Sequence, residues 1–310
     1  MINILLDVLN KENAWNNLTT IFHDRNTTSL MATVKVITYI FPCIPDKDTR
    51  WTYLFRSVVI IKEVEYLLMV FAYVPNKEKA LEDLIKLGSQ IGTEQKCGKE
   101  ILSKVERFFN DLDKTQVYKI LQKLILSEDT YVKMMAISTL ALFFPHLPGK
   151  DSLNFMCNKE QAWDDLLALT SEKDEMLKRH AASVLGLAFP HVPNKSRAWK
   201  DLHKFTNDRH FNVRWGIANS IGSAFPYIPN KEQAWEDLVK LTTDNKNYVR
   251  VSAFHSMGRI SVFKASESKS EEEYRKELEN AIVFLIKPQR NSLIFHHPNF
   301  AFHFIVHSMQ

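Results

Sequence analysis

The chain has 310 residues, of which 45% are hydrophobic, so it can bury a core as one domain, two domains or an array of small units. It contains only 8 glycines, which argues against an all-β fold with many tight turns. The formal net charge of +4 permits binding to acidic surfaces without requiring it. The three cysteines, Cys43, Cys97 and Cys157, are far apart, which favours reduced thiols in a cytosolic protein over disulfides or a metal site.

No segment has the pattern of a targeting signal or a membrane span. The first ten residues include a short apolar stretch without a basic region before it or a cleavage site of small residues after it. The longest uncharged stretch, Met134 to Gly149, is shorter than the roughly 20 residues that a spanning helix needs. We therefore expect a soluble, cytoplasmic protein that does not bind membranes.

A repeat of about 36 residues organises the sequence. "AFPHVPNKSRAWKDL" spans residues 188–202 and "AFPYIPNKEQAWEDL" spans residues 224–238. The Asn/Asp-Lys pair in these lines recurs along the chain, with a large side chain four residues after each lysine. The lysines are Lys11, Lys47, Lys77, Lys114, Lys159, Lys195 and Lys231, and the large side chains are Trp15, Trp51, Leu81, Tyr118, Trp163, Trp199 and Trp235. Since five of the six tryptophans share one position, the pattern predicts a stacked array of about seven repeats.

Each repeat has the pattern of two helices joined by a polar break. In the last clear copy, Asn230 is placed to cap the first helix, and Gln233 is placed to return the bond in a capping box. The second helix begins near Tyr248. In the preceding copy Pro226 ends it, since proline cannot continue the hydrogen-bond ladder. The first helix has an apolar side and an acidic side: the apolar residues are Ala234, Trp235, Leu238 and Leu241, and the acidic residues are Glu232, Glu236 and Asp237. The second helix has apolar residues at intervals of four, which are Val249, Ala253 and Met257.

Gly186, Gly222 and Gly258 occupy one equivalent position of the second helix. Glycine in a helix interior costs about 1 kcal/mol relative to alanine. We therefore predict that neighbouring second helices cross closely at this position.

Paired helices of this length resemble HEAT repeats, including those of the PBS-lyase type. The proline link, the capped first helix and an acid followed by Val-Arg carry the likeness, as in Asp208 with Val213-Arg214 and Asp244 with Val249-Arg250. The Phe-Pro-x-x-Pro-Asn-Lys-x-x-Ala-Trp variant is similar to uncharacterised multi-HEAT proteins of archaeal methanogens. The resemblance implies an all-α fold, a right-handed α-α superhelix of about seven helix pairs. It also implies a scaffold that binds macromolecules on a curved face.

The predicted organisation has three parts. Residues 1–263 form the HEAT-like array, with degenerate units in 1–112 and clear units in 113–263. Residues 264–273 form a linker rich in Ser and Glu, and residues 274–310 form a divergent capping helix and a hydrophobic tail. Nine extra residues before Asn158 are expected to form an exposed loop. Within the tail, His303 and His307 have a spacing that suits zinc, but no acid or cysteine stands nearby, so a hydrophobic flap is favoured.

The candidate binding residues lie on the second helices of the last units. Their side chains vary in chemistry at positions four residues apart, which is expected of a recognition face on a fixed scaffold; the alternative is that they are solvated or packed against the next unit. The predicted partner-binding residues are Arg179, Ser183, Arg214, Trp215, Asn219, Arg250, His255 and Arg259.

Two interpretations remain open for the basic residues that open the second helices. Lys133, Lys178, Arg214 and Arg250 recur once per unit and are spaced to follow a phosphate backbone. The structural interpretation is favoured, in which each base pairs with an acid of a neighbouring repeat.

Catalytic motifs are missing from the sequence: it has no P-loop, no Gly-x-Ser-x-Gly and no Cys-x-x-Cys. We predict a non-catalytic scaffold, without cofactor or metal, that binds a protein partner on its concave face. The alternative is a nucleic-acid-binding module or a DNA-glycosylase-like enzyme that uses Trp215, Arg179 and Arg214. Trp215 is either a partner anchor or a residue of the seam between units, since it is the only tryptophan outside the repeated position.

Overall fold

The computed structural model describes residues 34, 37–38, 41, 46–61, 65–91, 105–149 and 158–290, and these residues form helices and connecting turns without a strand. The helices in the amino-terminal half are α1 Lys47–Ile61, α2 Glu65–Val70, α3 Lys77–Ile91, α4 Lys114–Ile125 and α5 Thr130–Phe143. Those in the carboxy-terminal half are α6 Lys159–Ala168, α7 Glu175–Ala188, α8 Lys195–Phe205, α9 Phe211–Ala224, α10 Lys231–Leu241, α11 Asn247–Ser266 and α12 Glu271–Arg290. None of the helices in these ranges is long and apolar enough to cross a membrane.

The helices form two compact units, Met1–His146 and Leu147–Gln310. In the first unit α1 packs on α2 and α3, and α4 packs on α3 and α5. In the second unit each first helix packs on the second helix of its own repeat, so that α6 contacts α7, α8 contacts α9 and α10 contacts α11. The second helices also pack on one another in chain order, from α7 through α9 and α11 to the capping helix α12.

The asparagine of the repeated Asn-Lys pair caps each first helix, as predicted. The side chains of Asn158, Asn194 and Asn230 each accept a hydrogen bond from the backbone amide three residues later. The predicted return bond, from the Asn230 amide to Gln233 Oε1, does not form among the described residues, and the side-chain Nε2 of Gln233 donates to Glu236 and Asp237.

The proline links end the second helices as predicted. In each of two repeats the α-helix stops at an alanine and one 3₁₀ turn follows, Phe189–His191 or Phe225–Tyr227. The phenylalanine of each turn is buried, which fixes the turn against the core. Lys195 holds the link of its repeat, since its Nζ donates to the carbonyl oxygens of Pro190 (2.8 Å) and Val192 (2.7 Å).

The repeated tryptophans join consecutive repeats through their indole N–H groups. Trp163 Nε1 donates to Asp201 Oδ2 at 3.0 Å, and Trp51 Nε1 donates to Asp83 Oδ2 at 3.1 Å. In both cases the donor tryptophan is on the first helix of one repeat. The acceptor aspartate is on the first helix of the next repeat, two residues after the position that is equivalent to the tryptophan.

The predicted polar face of the first helix is wrong at Asp237. This residue is only 4% exposed, and His203 Nδ1 hydrogen-bonds to its Oδ2 at 2.6 Å.

We expect Trp163→Phe to lower the free energy of unfolding by about 1–2 kcal/mol, because the substitution keeps an aromatic ring but leaves the half-buried carboxylate of Asp201 without its donor. The measurement is urea unfolding followed by circular dichroism. Trp199→Phe is the matched control, since Trp199 is also buried in the equivalent position and its indole makes no hydrogen bond to the described residues. Equal losses in the two variants would show that the hydrogen bond does not contribute.

Neighbouring second helices approach closely at the glycines, as predicted. A Cβ on Gly186 of α7 would lie 2.7 Å from both the Cα and the carbonyl oxygen of Ser220 on α9. Ser220 Oγ completes the crossing, because it donates to the carbonyl oxygen of Ala182 (2.6 Å) and accepts from the amide of Gly186 (2.9 Å). The contact is therefore backbone against backbone and leaves no room for a side chain.

The last two helices differ from the predicted boundaries. α11 continues to Ser266, two residues beyond the start of the predicted linker, and Ala265 in this last turn is buried. Ser270 caps α12 by accepting from the amide of Glu273. α12 begins at Glu271, inside the predicted linker, and continues to Arg290.

Several predictions concern residues outside the described ranges. They are the first repeat around Trp15, the three cysteines, residues 150–157 of the predicted loop and the tail that carries His303 and His307.

Candidate functional site

The second helices of the carboxy-terminal unit share one incompletely buried face. On α7, α9 and α11 the buried residues face the first helices and the neighbouring second helices, while residues four apart on the remaining stripe keep part of their surface exposed. We call this stripe the second-helix face, and it consists of Arg179, Ser183, Leu187, Trp215, Asn219, Ser223, Tyr248, His255 and Arg259.

A stack of three side chains lies at one end of the second-helix face. The guanidinium carbon of Arg179 on α7 lies 4.3 Å from the centroid of the Trp215 ring on α9. The Tyr248 ring of α11 also stacks on this indole, with a distance of 4.9 Å between the ring centroids and an interplanar angle of 20°. The stack therefore joins three successive repeats, and its outer aromatic ring, Tyr248, is 44% exposed.

A second arginine reaches across the face from α11. Arg259 Nη1 donates to Ser223 Oγ (3.2 Å), and its Nη2 donates to the carbonyl oxygen of Asn219 (3.1 Å) and to Ser256 Oγ (2.9 Å). Burial lowers the pKa of Arg259 to about 10, so the group remains cationic at neutral pH. Burial, and then the charge of Arg259, lowers the pKa of His255 below its usual value.

Six of the eight predicted partner-binding residues lie on the second-helix face, and two lie elsewhere. Ser183 and Asn219 occupy half-buried positions beside the stack, and their backbone carbonyl oxygens accept from Ser220 Oγ and from Arg259 Nη2. Arg214 and Arg250 instead turn toward the polar breaks between first and second helices.

Arg214 forms an ion pair between repeats, as the structural interpretation of the basic residues predicts. Its Nε donates to Asp244 Oδ2 at 2.6 Å and its Nη2 to Asp244 Oδ1 at 3.0 Å, while its Nη1 donates to the carbonyl oxygen of Asp208 at 2.7 Å. The side chains of Arg214 and Asp244 are 14% and 8% exposed, so the pair is largely shielded from water.

The other basic residues at this position have different partners. Arg250 Nη1 donates to the backbone carbonyl oxygen of Asp244 at 2.8 Å, within its own repeat. Lys178 is buried and its Nζ lies 3.5 Å from Glu175 Oε1, so it does not pair with an acid of the next repeat. Each of these three cations is therefore held by the fold.

Asp244, the acid of the ion pair with Arg214, makes the stability of the fold depend on pH. Burial raises the pKa of Asp244, but the hydrogen bond from Arg214, the amide of Lys246 and the nearby arginine charges lower it further, so the net pKa is below its usual value. A carboxyl group with a depressed folded-state pKa contributes stability above its unfolded pKa of about 3.9, and this stability is lost as the pH falls through the folded-state pKa.

We expect Arg214→Gln to lower the free energy of unfolding by about 3 kcal/mol at pH 7, because it leaves a largely buried carboxylate without its partner. The difference from the wild-type protein should shrink as the pH falls below about 4, because the unfolded chain then binds a proton at Asp244 that the folded wild-type protein takes up only at lower pH. Urea unfolding at several pH values measures both effects. Arg275→Gln is the control, since its pair with Glu271 is 73% and 76% exposed and contributes little. A difference that stayed constant between pH 7 and pH 3 would contradict the assignment to Asp244.

The sequence did not indicate two parts of the site. The sequence pattern indicates Tyr248 only as the start of a helix, because its contact with Trp215 depends on how far α11 is rotated against α9. Asn212 Nδ2 donates to Glu175 Oε2 at 2.5 Å across two repeats, and no local pattern links these residues. Among the described residues, no group of three His, Cys, Asp or Glu side chains could hold a metal ion.

No family model and no curated protein matches this chain. Its fold is similar to that of the karyopherin Kap121p, with a TM-score of 0.61, 12% sequence identity, and 93% of this chain and 36% of that chain covered. Kap121p bound to Pho4p matches with a TM-score of 0.59 at 12% identity, over 87% of this chain and 33% of that chain. Kap121p bound to the extreme C-terminus of the protein phosphatase Cdc14p matches with a TM-score of 0.60 at 12% identity, over 88% and 33%.

The chain thus spans about a third of the length of these structures. At this level of identity the likeness concerns the fold alone. It confirms the predicted fold class: the chain has an all-α solenoid fold built from helix pairs.

Proposed function

We propose that the chain is a non-catalytic scaffold that binds a protein partner on its second-helix face. The observation that carries the proposal is the stack of Arg179, Trp215 and Tyr248. Tryptophan, tyrosine and arginine are the side chains most often found at binding hot spots, because they bury a large area with few rotatable bonds. Here three successive repeats hold them in place before any partner arrives.

Exposed apolar side chains on α7 also support a protein partner. Leu187, on the same face of α7, is 47% exposed, and Met176 at the start of that helix is 42% exposed. Exposed apolar side chains on the same row of helices as an aromatic pair are typical of protein interfaces, and the half-buried Ser183 and Asn219 provide polar groups on this face. Binding on the concave side of the solenoid, a cytoplasmic location and a relationship to the multi-HEAT proteins of methanogens belong to the same proposal.

Structures of Kap121p bound to Pho4p and to the C-terminus of Cdc14p show that a solenoid with a similar fold binds protein segments. That property is one of Kap121p, and we extend it to this chain only as part of the proposal. It supports the scaffold because an open row of helices gives a continuous surface for an extended segment.

The alternative partner is a nucleic acid, bound with or without glycosylase chemistry. It needs cations that are free to contact phosphates, but Lys178, Arg214 and Arg250 are held by Glu175, Asp244 and backbone carbonyls. Binding to DNA or RNA should weaken steeply with salt, by orders of magnitude between low and moderate ionic strength. A duplex that binds at micromolar concentration with such a salt dependence would place this alternative first.

Affinity capture from the native cytosol, with the full chain as bait, tests the proposal. We expect a partner that the wild-type protein and the Lys200→Gln variant retain, and that the Trp215→Ala variant loses. Lys200 is the control because it is exposed on the first helix α8, away from the second-helix face. A partner retained equally by all three baits would show that binding occurs elsewhere on the chain.

A further inference from the structure

Three hydrogen-bonding side chains occupy one equivalent position on the second-helix face. They are Ser183 on α7, Asn219 on α9 and His255 on α11, each one repeat after the last, and all three are half-buried. We call these three residues the polar row. Packed helices lie roughly 8–10 Å apart, so the polar row extends across the three helices for roughly 16–20 Å.

The side chains of the polar row have hydrogen-bonding capacity that the fold does not use. The backbone carbonyl oxygens of Ser183 and Asn219 accept from Ser220 and Arg259. No described residue, however, bonds to the hydroxyl of Ser183, the carboxamide of Asn219 or the imidazole of His255. None of these polar atoms is among the described side-chain atoms that are buried without a partner, so they are open to solvent and available to a bound molecule.

Arg179, on the same face, carries a charge that no acid compensates among the described residues. Its guanidinium carbon lies 4.3 Å from the centroid of the Trp215 ring, and it makes no ion pair or hydrogen bond with the described chain. Burial alone lowers the pKa of Arg179, without a contribution from a nearby carboxylate. Arg259 is different, because hydrogen bonds within the fold hold its guanidinium. Arg179 is therefore the group on this face that can pair with a carboxylate of a bound molecule.

The main chain of an extended peptide matches the polar row. An extended chain presents one C=O and, except at proline, one N–H at every residue, about 3.3 Å apart, so about six residues span the row. Hydroxyl, carboxamide and imidazole groups can each donate to or accept from these main-chain groups. The row can therefore bind a peptide through its backbone, whatever the side chains are.

A nucleic acid matches the polar row less well, because the row offers no positive charge to phosphates. Burial, and then the charge of Arg259, lowers the pKa of His255, so its imidazole is neutral at pH 7. Ser183 and Asn219 carry no charge. The main-chain groups of a partner that is already folded into helices or sheets are paired with one another, which leaves an extended segment as the matching ligand.

We propose that the second-helix face binds an extended peptide segment, whose main chain hydrogen-bonds to the polar row and whose single carboxylate pairs with Arg179. This inference rests on the proposed scaffold function and specifies the conformation and chemistry of its partner. The aromatic rings of Trp215 and Tyr248, which lie in the same stack as Arg179, provide a surface for an apolar side chain next to the acid.

Selection from a phage-displayed library of random peptides tests the proposal, with the full chain as bait. Peptides of about 12 residues are long enough to cross the row. We expect the enriched peptides to share one Asp or Glu beside an apolar residue. The Arg179→Gln bait should enrich peptides without that acid. Lys200→Gln is the control and should select the same motif as the wild-type protein, since Lys200 lies on the first helix α8.

Fluorescence anisotropy with the most enriched peptide then separates the carboxylate from the main chain. Replacing the acid of the peptide by its amide should weaken binding to the wild-type protein by about tenfold and leave binding to Arg179→Gln unchanged. Asn219→Ala should weaken binding of the acidic peptide and of its amide form by the same factor, about fivefold, because it removes a bond to the main chain.

Asn219→Ala keeps the described hydrogen bonds of the fold, since only the backbone carbonyl oxygen of Asn219 accepts from Ser223 and Arg259. Circular dichroism establishes that this variant and Arg179→Gln are folded. The same measurements with a labelled DNA duplex compare a peptide with a nucleic acid at one salt concentration.

Four results would overturn the inference: no enriched peptide, an enriched motif whose acid is absent or is still selected by Arg179→Gln, unchanged peptide binding by Asn219→Ala, or tighter binding of the duplex than of the peptide. The proposed scaffold function fails separately. A captured partner that is lost by Trp215→Ala but bound equally by Arg179→Gln and Asn219→Ala would leave the scaffold in place and remove only the site for an extended peptide.

Discussion

Gly186→Ala is expected to lower the free energy of unfolding by about 2–3 kcal/mol, even though alanine is the better helix former by about 1 kcal/mol. The new Cβ would lie 2.7 Å from the Cα and the carbonyl oxygen of Ser220. Both are backbone atoms of α9, so the whole helix has to shift. The shift would also lengthen the hydrogen bond from the Gly186 amide to Ser220 Oγ.

The same repeat position supplies a matched control. A Cβ on Gly258 would meet Leu285 Cγ at 2.8 Å and Cδ2 at 2.9 Å, while the nearest backbone atom, the carbonyl oxygen of Ala281, is 3.5 Å away. Because Leu285 is only partly buried, its side chain can rotate aside, and the gain in helix propensity offsets the cost. We expect Gly258→Ala to change the free energy of unfolding by less than about 1 kcal/mol. Urea unfolding of both variants is the measurement, and equal effects would contradict the close crossing of α7 and α9.

The repeat architecture could be predicted from the sequence because each of its parts is local. Asn230 stands three residues before the amide that it caps, Pro226 follows the helix that it ends, and Val249 and Ala253 are one turn apart. The glycines contact a helix that is distant in sequence, but their recurrence at one position of the repeat indicates that the helices cross closely there. The repeat therefore allows one class of long-range contact, the close crossing of second helices, to be predicted from the sequence.

Contacts that depend on the side chain of a neighbouring repeat could not be predicted in the same way. Asp237 was placed on the polar side of its helix, since its own repeat gives no sign that His203 of the preceding repeat covers it. The bond between Trp163 and Asp201 is more regular, because it recurs between Trp51 and Asp83 with the same two-residue offset. The constant offset between consecutive copies therefore indicates that bond, but it does not indicate the contact with His203.

The candidate site was predicted at the level of the face but not of its contacts. Every fourth residue of the second helices was placed on one surface, and α7, α9 and α11 do present Arg179, Trp215 and His255 along one stripe. Whether a cation there is free or paired depends on loops outside the helix pattern. Arg214 and Arg179 look alike in sequence, yet only Arg214 lies within reach of an aspartate.

Trp215→Ala is expected to weaken binding of the captured partner by about 30-fold, which corresponds to about 2 kcal/mol. The substitution removes the ring that holds Arg179 in place and that packs on Tyr248, so both neighbours lose their fixed positions. Since Trp215 is half-buried and joins three repeats, we also expect the free energy of unfolding to fall by about 1–2 kcal/mol, from the lost cation–π and stacking contacts. Titration of the purified partner measures the affinity, and urea unfolding measures the stability.

The two effects of Trp215→Ala are separable because another variant changes only one of them. Trp163→Phe lowers stability by a similar amount through the first helices, where Trp163 contacts Asp201 and not the second-helix face. If Trp215 contacts the partner, affinity per folded molecule falls in Trp215→Ala and stays unchanged in Trp163→Phe. If Trp215 serves only as a seam between α7, α9 and α11, the two variants bind the partner equally well once the folded fraction is taken into account. That second outcome would remove Trp215 from the binding site and leave its stack with Arg179 and Tyr248 as a purely structural contact between repeats.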